Sequence, residues 1–119
     1  MMSKAILLVS RHAPTDGSSA RELLDIALAG GAFDLPISLL LLDDGVLQLA
    51  PHDFSLLQQK NLSANLQALA LFGVEQIYAA ERSLCERGLN TLNSTLPVQR
   101  LDDAAVSQLY RQHDVVITL

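Results

Sequence analysis

The stretch Pro36-Ile37-Ser38-Leu39-Leu40-Leu41-Leu42, followed by Asp43-Asp44-Gly45, decides the fold. A strand with one wet face alternates apolar and polar residues, and this run does not. Ser38 alone interrupts a series of Ile and Leu. A short, unalternating apolar run reads as a strand covered on both faces, which is the signature of a parallel sheet between layers. Asp43-Asp44-Gly45 then reads as a turn, with Gly45 expected in the left-handed conformation.

Working outward, residues 4–10 form a similar run and predict the first strand. Pro14, Asp16 and Gly17 mark a loop after it. Ser19-Ala20-Arg21-Glu22 has the spacing of a capping box, and Leu23, Leu24, Ile26 and Ala27 continue as a helix. Gly30-Gly31 is expected to stop that helix. Downstream of the turn, residues 46–49 are a short apolar piece ending before Pro51. Residues 55–72 are helical in pattern, with Leu62, Leu66, Leu69 and Phe72 on one face and Gly73 at the end. Residues 75–80 predict a third strand. Ser83 is expected to cap a short helix closed by Gly88. Residues 98–101 predict a fourth strand, Asp102 or Asp103 a cap, residues 104–112 the last helix and residues 115–119 a fifth strand.

Strand and helix alternate four times before the final strand. This order implies parallel strands joined by helical crossovers. The predicted fold class is α/β: a three-layer α/β/α domain with an open, five-stranded, mostly parallel sheet of flavodoxin-like size. The 119 residues suit one domain over residues 1–119, able to bury roughly two-thirds of its unfolded surface.

Composition narrows the function classes. Half the residues are hydrophobic and 18% are charged, which excludes disorder. So low a charge fraction fits either apolar surface facing a partner or a sheet covered twice. The net charge of −5 argues against direct nucleic-acid binding, since there is no phosphate neutralisation to gain. Residues 5–9 are too short for a membrane span or a signal core, so the cytoplasm and no membrane are expected. One cysteine, Cys85, allows no internal disulfide.

In open α/β sheets, chemistry collects at the C-terminal ends of the strands. Those ends offer Arg11-His12, Asp43-Asp44-Gly45, residues 79–85 and Asp102-Asp103. The first loop lacks the glycines of a nucleotide cradle, so no cofactor is expected. Arg11-His12 reads more simply as a solvated loop pair. A phosphoacceptor reading of Asp43-Asp44 fails, because Arg11-His12 stands where an acidic pair belongs and no lysine follows a late strand. His12, His52 and His113 lack ligand spacing, so no metal is expected. Cys85 is the candidate nucleophile. With Ser83 as cap it lies in a first helical turn near Arg82 and Arg87, which favours a reactive thiol. A helix terminus contributes only ~0.3–1 kcal/mol, and Glu81 and Glu86 oppose it. The favoured reading is a small apolar residue packing a helix.

Four segments together carry a family resemblance. Leu42-Asp43-Asp44-Gly45-Val46-Leu47-Gln48-Leu49 resembles the DGV-x-QL segment of the TusC/DsrF family, and Ser83-Leu84-Cys85-Glu86-Arg87-Gly88-Leu89 resembles its SL-x-ERGL segment. Ala20-Arg21-Glu22 with Leu24-Asp25, and the ending His113-Asp114-Val115-Val116-Ile117, are similar to it as well. The resemblance implies a DsrE/F/H-like fold and a cytoplasmic complex with homologous B-type and D-type subunits, assembled as a dimer of heterotrimers. It implies relay of persulfide sulfur from a TusA-like donor to a TusE-like acceptor, towards 2-thiolation of the tRNA wobble uridine. DsrEFH relatives serve sulfur oxidation instead. The transferring cysteine of that family belongs to the D-type subunit and falls near Ala80 here, about one turn from Cys85. On that reading the chain is a non-catalytic subunit, not an enzyme alone. Arg11, His12, Asp43, Asp44, Gly45, Ala80, Ser83 and Cys85 are then the candidate pocket or interface residues. Two other hypotheses stand beside it: a self-sufficient sulfurtransferase using Cys85, and a flavodoxin-shaped small-molecule binder.

Overall fold

The Leu-rich stretch is a strand buried at all five positions, Ile37–Leu41, here β2. The computed structural model describes residues 5–13, 17–49, 74, 76–89 and 98–119. The other elements are β1 (Ile6–Ser10), α1 (Ser19–Ala32), a 3-10 segment (Asp43–Leu49), β3 (Gln76–Ala80), α2 (Glu81–Glu86), β4 (Val98–Leu101), α3 (Asp103–Arg111) and β5 (Val115–Thr118). The helix expected over residues 55–72 lies outside the described residues, as do residues 14–16 of the first loop.

The strands form one sheet in the order β4-β3-β2-β1-β5, and each pair is parallel. Ile6 pairs with Ile37, Leu8 with both Leu39 and Ile117, and Leu39 with Ile77. Right-handed crossovers dictate the layers. The chain steps one way from β1 to β4, so α1 and α2 share a face. It then returns past β1 to β5, so α3 takes the opposite face. Side chains sort accordingly with the period of two. Leu8, Leu39, Leu41, Ile77 and Ala79 pack with Ala20, Leu23, Leu24 and Ala27 of α1 and Leu84 of α2. Leu7, Val9 and Leu40 pack with Leu109 of α3, joined by Tyr78, Leu101, Val106 and Tyr110. The three-layer α/β/α expectation holds, and the sheet is parallel throughout.

Three local expectations are corrected. Gly30-Gly31 does not stop α1, which runs on to Ala32. Both glycines are buried, and a Cβ on Gly30 would overlap the Ile37 side chain, so this glycine admits β2 close to the helix. Asp34 closes the helix in the left-handed conformation, φ 60°, with its N–H donating to Gly31 and that of Leu35 to Gly30. At the other end, Ser18 rather than Ser19 precedes the helix, and its hydroxyl donates to the Glu22 carboxylate at 3.0 Å. Finally, Ser83 does not cap α2. The helix begins at Glu81, with Ala80 preceding it. Gly88 does close it at φ 69°, with bonds from Gly88 to Cys85 and from Leu89 to Leu84. Asp102 caps α3, its carboxylate accepting from the Ala105 N–H at 2.8 Å.

Candidate functional site at the strand ends

Three loops converge where β1, β2 and β3 end. The Leu42 N–H donates to the Ser10 carbonyl at 3.0 Å, tying the exit of β2 to that of β1. Asp43 then turns in the left-handed conformation, φ 53°. This corrects the expectation for Gly45, which holds a 3-10 position instead. Asp43 tolerates the conformation because its N–H finds the Ser83 hydroxyl at 2.8 Å. Gly45 is required by space: a Cβ there would overlap the Ser10 carbonyl.

Ion pairs frame this junction. The Arg11 Nε donates to Asp43 Oδ2 at 2.8 Å, and Arg87 Nε donates to Asp44 Oδ1 at 2.9 Å. Arg87 also donates to the Ser83 carbonyl at 3.2 Å and is only 22% exposed on its side chain, so its charge is directed at α2 and the 3-10 segment. Arg82 pairs with Asp103 and thereby joins the starts of α2 and α3. Beneath the surface, the Gln48 amide donates to the Ser10 hydroxyl at 2.7 Å. Gln48 is 1% exposed, and its Oε1 has no hydrogen-bond partner among the described residues.

Of the sequence candidates, Arg11, Asp43, Asp44, Gly45 and Ser83 thus meet through named contacts. His12 follows Arg11 on the same loop and is partly exposed. Ala80 ends β3 and is 4% exposed, so it offers almost no surface in the isolated chain. Cys85 is exposed and stands fifth of six residues in α2, away from the helix start. The first-turn argument for its reactivity therefore falls. Arg82 and Arg87, invoked to support a thiolate, are both committed to aspartates. His113 donates through Nδ1 to the Leu109 carbonyl at 2.7 Å and its Nε2 meets the Ser38 hydroxyl at 3.1 Å, so it staples α3 to β2. No group of three or more His, Cys, Asp or Glu side chains is placed to hold a metal among the described residues. Nor is any helix there long and apolar enough to cross a membrane.

Sequence reasoning missed two members of this junction. Arg87 was read only as a cation near Cys85, since its pairing with Asp44 spans 43 positions. Gln48 carried a usable signal: a lone amide inside the apolar piece of residues 46–49 has to be buried with a partner.

The DsrE/DsrF-like family model matches residues 4–119. The chain belongs to the DsrE/DsrF-like family. This DsrE/DsrF-like chain is 56% identical to the Protein TusC homolog of Pseudomonas aeruginosa, over 99% of its own length and 100% of the relative's. It is 32% identical to the intracellular sulfur oxidation protein DsrF of Allochromatium vinosum, over 97% of its length and 96% of the relative's. Among solved structures, the ychN protein of E. coli superposes with a TM-score of 0.79 at 23% identity, covering 99% of this chain and 100% of that one. A conserved protein of unknown function from Bacteroides thetaiotaomicron reaches 0.71 at 12% identity, covering 96% and 94%. Both structural matches share the fold. The DGV-x-QL and SL-x-ERGL segments of this DsrE/DsrF-like chain are the two that meet through Asp43–Ser83 and Asp44–Arg87.

Proposed function

We propose that this chain is the non-catalytic C-type subunit of a TusBCD-like sulfurtransferase complex in the cytoplasm. The complex relays persulfide sulfur from a TusA-like donor to a TusE-like acceptor for 2-thiolation of the tRNA wobble uridine. Full-length similarity to a TusC homolog at 56% identity carries this reading. Ala80 at the family's cysteine position supports a non-catalytic role, because a methyl group holds no sulfur. The subunit contributes shape: Arg11, His12, Asp43, Asp44 and Cys85 form the accessible border of the region that meets the partner's cysteine, and Gly45, Ala80 and Ser83 lie buried behind it. The similarity to DsrF favours a second reading, a subunit of a sulfur-oxidation complex. Loss of 2-thiouridine from tRNA on deletion separates the first from the second.

The deciding experiment is the native mass of the chain co-expressed with its B-type and D-type neighbours. Equal amounts of all three in a dimer of heterotrimers is the expected result. Partners that assemble without this chain would sink the proposal. Within such a complex, Cys85→Ser is expected to leave sulfur relay at the wild-type rate, measured as labelled sulfur reaching the acceptor. A collapse of relay would instead restore the self-sufficient reading. Asp44→Lys places two cations together against Arg87, and weaker assembly or slower relay is expected; undiminished assembly and relay removes the strand-end border from the interface.

A further inference from the structure

The edge strand β5 keeps apolar side chains exposed on both faces, Val116 towards the α3 face and Ile117 towards the other. Because the last crossover runs over the α3 face, no described element lies over β5 on the α1 face. Ile117 pairs with Leu8 and so points to that face beside α1. An apolar groove of about 350 Å³ opens there, lined by Ile6, Ile26, Phe33, Leu35, Ile37 and Ile117 among others. Four of these are exposed: Ile26 at 41%, Phe33 at 79%, Leu35 at 41% and Ile117 at 37%. One exposed apolar side chain is ordinary, but four around a single groove mark a binding surface.

The charge of the rim selects the occupant. Asp25 flanks Ile26 on α1, Asp34 stands between Phe33 and Leu35, and Asp114, whose carboxylate accepts from the Ala5 N–H at 2.8 Å, immediately precedes β5. Asp25 and Asp34 are exposed and form no ion pair among the described residues. Arg21, the one basic residue of α1, lies one turn before Asp25 on the same helix face and forms no ion pair with it among the described residues, so Asp25, Asp34 and Asp114 leave the rim net acidic. A second copy would bring two acidic rims together across a twofold axis, in a chain already carrying −5.

We propose that this groove docks a partner subunit through one or two of that partner's aliphatic or aromatic side chains, flanked there by Lys or Arg. The inference rests on the subunit reading above and adds which surface is used and what chemistry meets it. The groove lies at the N-terminal ends of β1 and β2, opposite the strand-end site, so one chain contacts partners at two separate places.

The test uses the co-expressed complex and three variants: Phe33→Ser, Ile117→Ser, and Asp25→Lys combined with Asp34→Asn. Asn keeps the left-handed turn at position 34. Circular dichroism melting of each isolated variant verifies the fold. Expected is about tenfold weaker association for each apolar variant. The charge variant should also associate more weakly, with a shallower dependence on salt. Apolar variants that melt and assemble like wild type overturn the groove and leave the subunit reading intact. Unchanged or tighter association of the charge variant overturns the basic partner. A homodimer of the isolated chain that Phe33→Ser dissolves makes a second copy the occupant and overturns the proposal. Wild-type chain that assembles with no partner ends the subunit reading and this inference with it.

Discussion

Replacing Gly45 with alanine is expected to lower unfolding stability by about 1–3 kcal/mol, the usual cost of forcing a methyl group into filled space. The added Cβ would overlap the carbonyl oxygen of Ser10, a backbone atom at the end of a central strand. Such an atom cannot swing aside as a long side chain can. The 3-10 segment must lift instead, and three consequences follow. The Leu42–Ser10 hydrogen bond lengthens, the Gln48 amide loses its seat on the Ser10 hydroxyl, and Asp43 and Asp44 shift from their arginines. Thermal melting reads the effect at about 4 °C per kcal/mol for a chain of this size. Because the same movement distorts the strand-end border, assembly with partner subunits should weaken as well. A melting temperature within about 1 °C of wild type, well under the cost of overpacking, would show that the segment relaxes freely.

Leu39→Ala is expected to cost about 2–5 kcal/mol. Leu39 is 0% exposed, lies in the middle strand of the sheet and sits between Leu8 and Ile77 in register. Neighbouring strands are held by their own hydrogen bonds on both sides, so the vacated volume cannot collapse. Against a typical total stability of about 5–15 kcal/mol, that loss is large enough to reduce the folded yield. Leu35→Ala is the control. Leu35 is 41% exposed, and its truncation should change stability by no more than about 0.5 kcal/mol. Equal effects of the two substitutions in urea or thermal unfolding would contradict the assignment of the core.

β1 and β2 were legible because burial on both faces leaves an unmistakable composition, while the exposed edge strands β4 and β5 were placed by the caps and turns around them. Each of the five lies within its expected range, and Val98–Leu101 matches it residue for residue. Asp102 and Gly88 were legible because a cap and a left-handed closure act within a few residues. Ser83 was misread for a related reason. A serine near a helix start is usually a cap, yet its hydroxyl here serves the backbone of Asp43, 40 positions away. Gly30 and Gly45 were misread likewise: each was taken as a conformational device, while each answers to the closeness of a distant strand.

By itself, the sequence determined the class of fold, the single layer-covered sheet and the family to which the chain belongs. These depend on local composition, on periodicity and on the order of elements, all of which are written along the chain. Only the tertiary structure decided strand order, which of two carboxylates each arginine meets, and the removal of Cys85 from a helix start. It alone also revealed the bare inner face of β5, since that follows from the return of the last crossover across the sheet. Contacts between distant positions arise from packing, whose energy belongs to pairs of residues and has no local sign in the sequence.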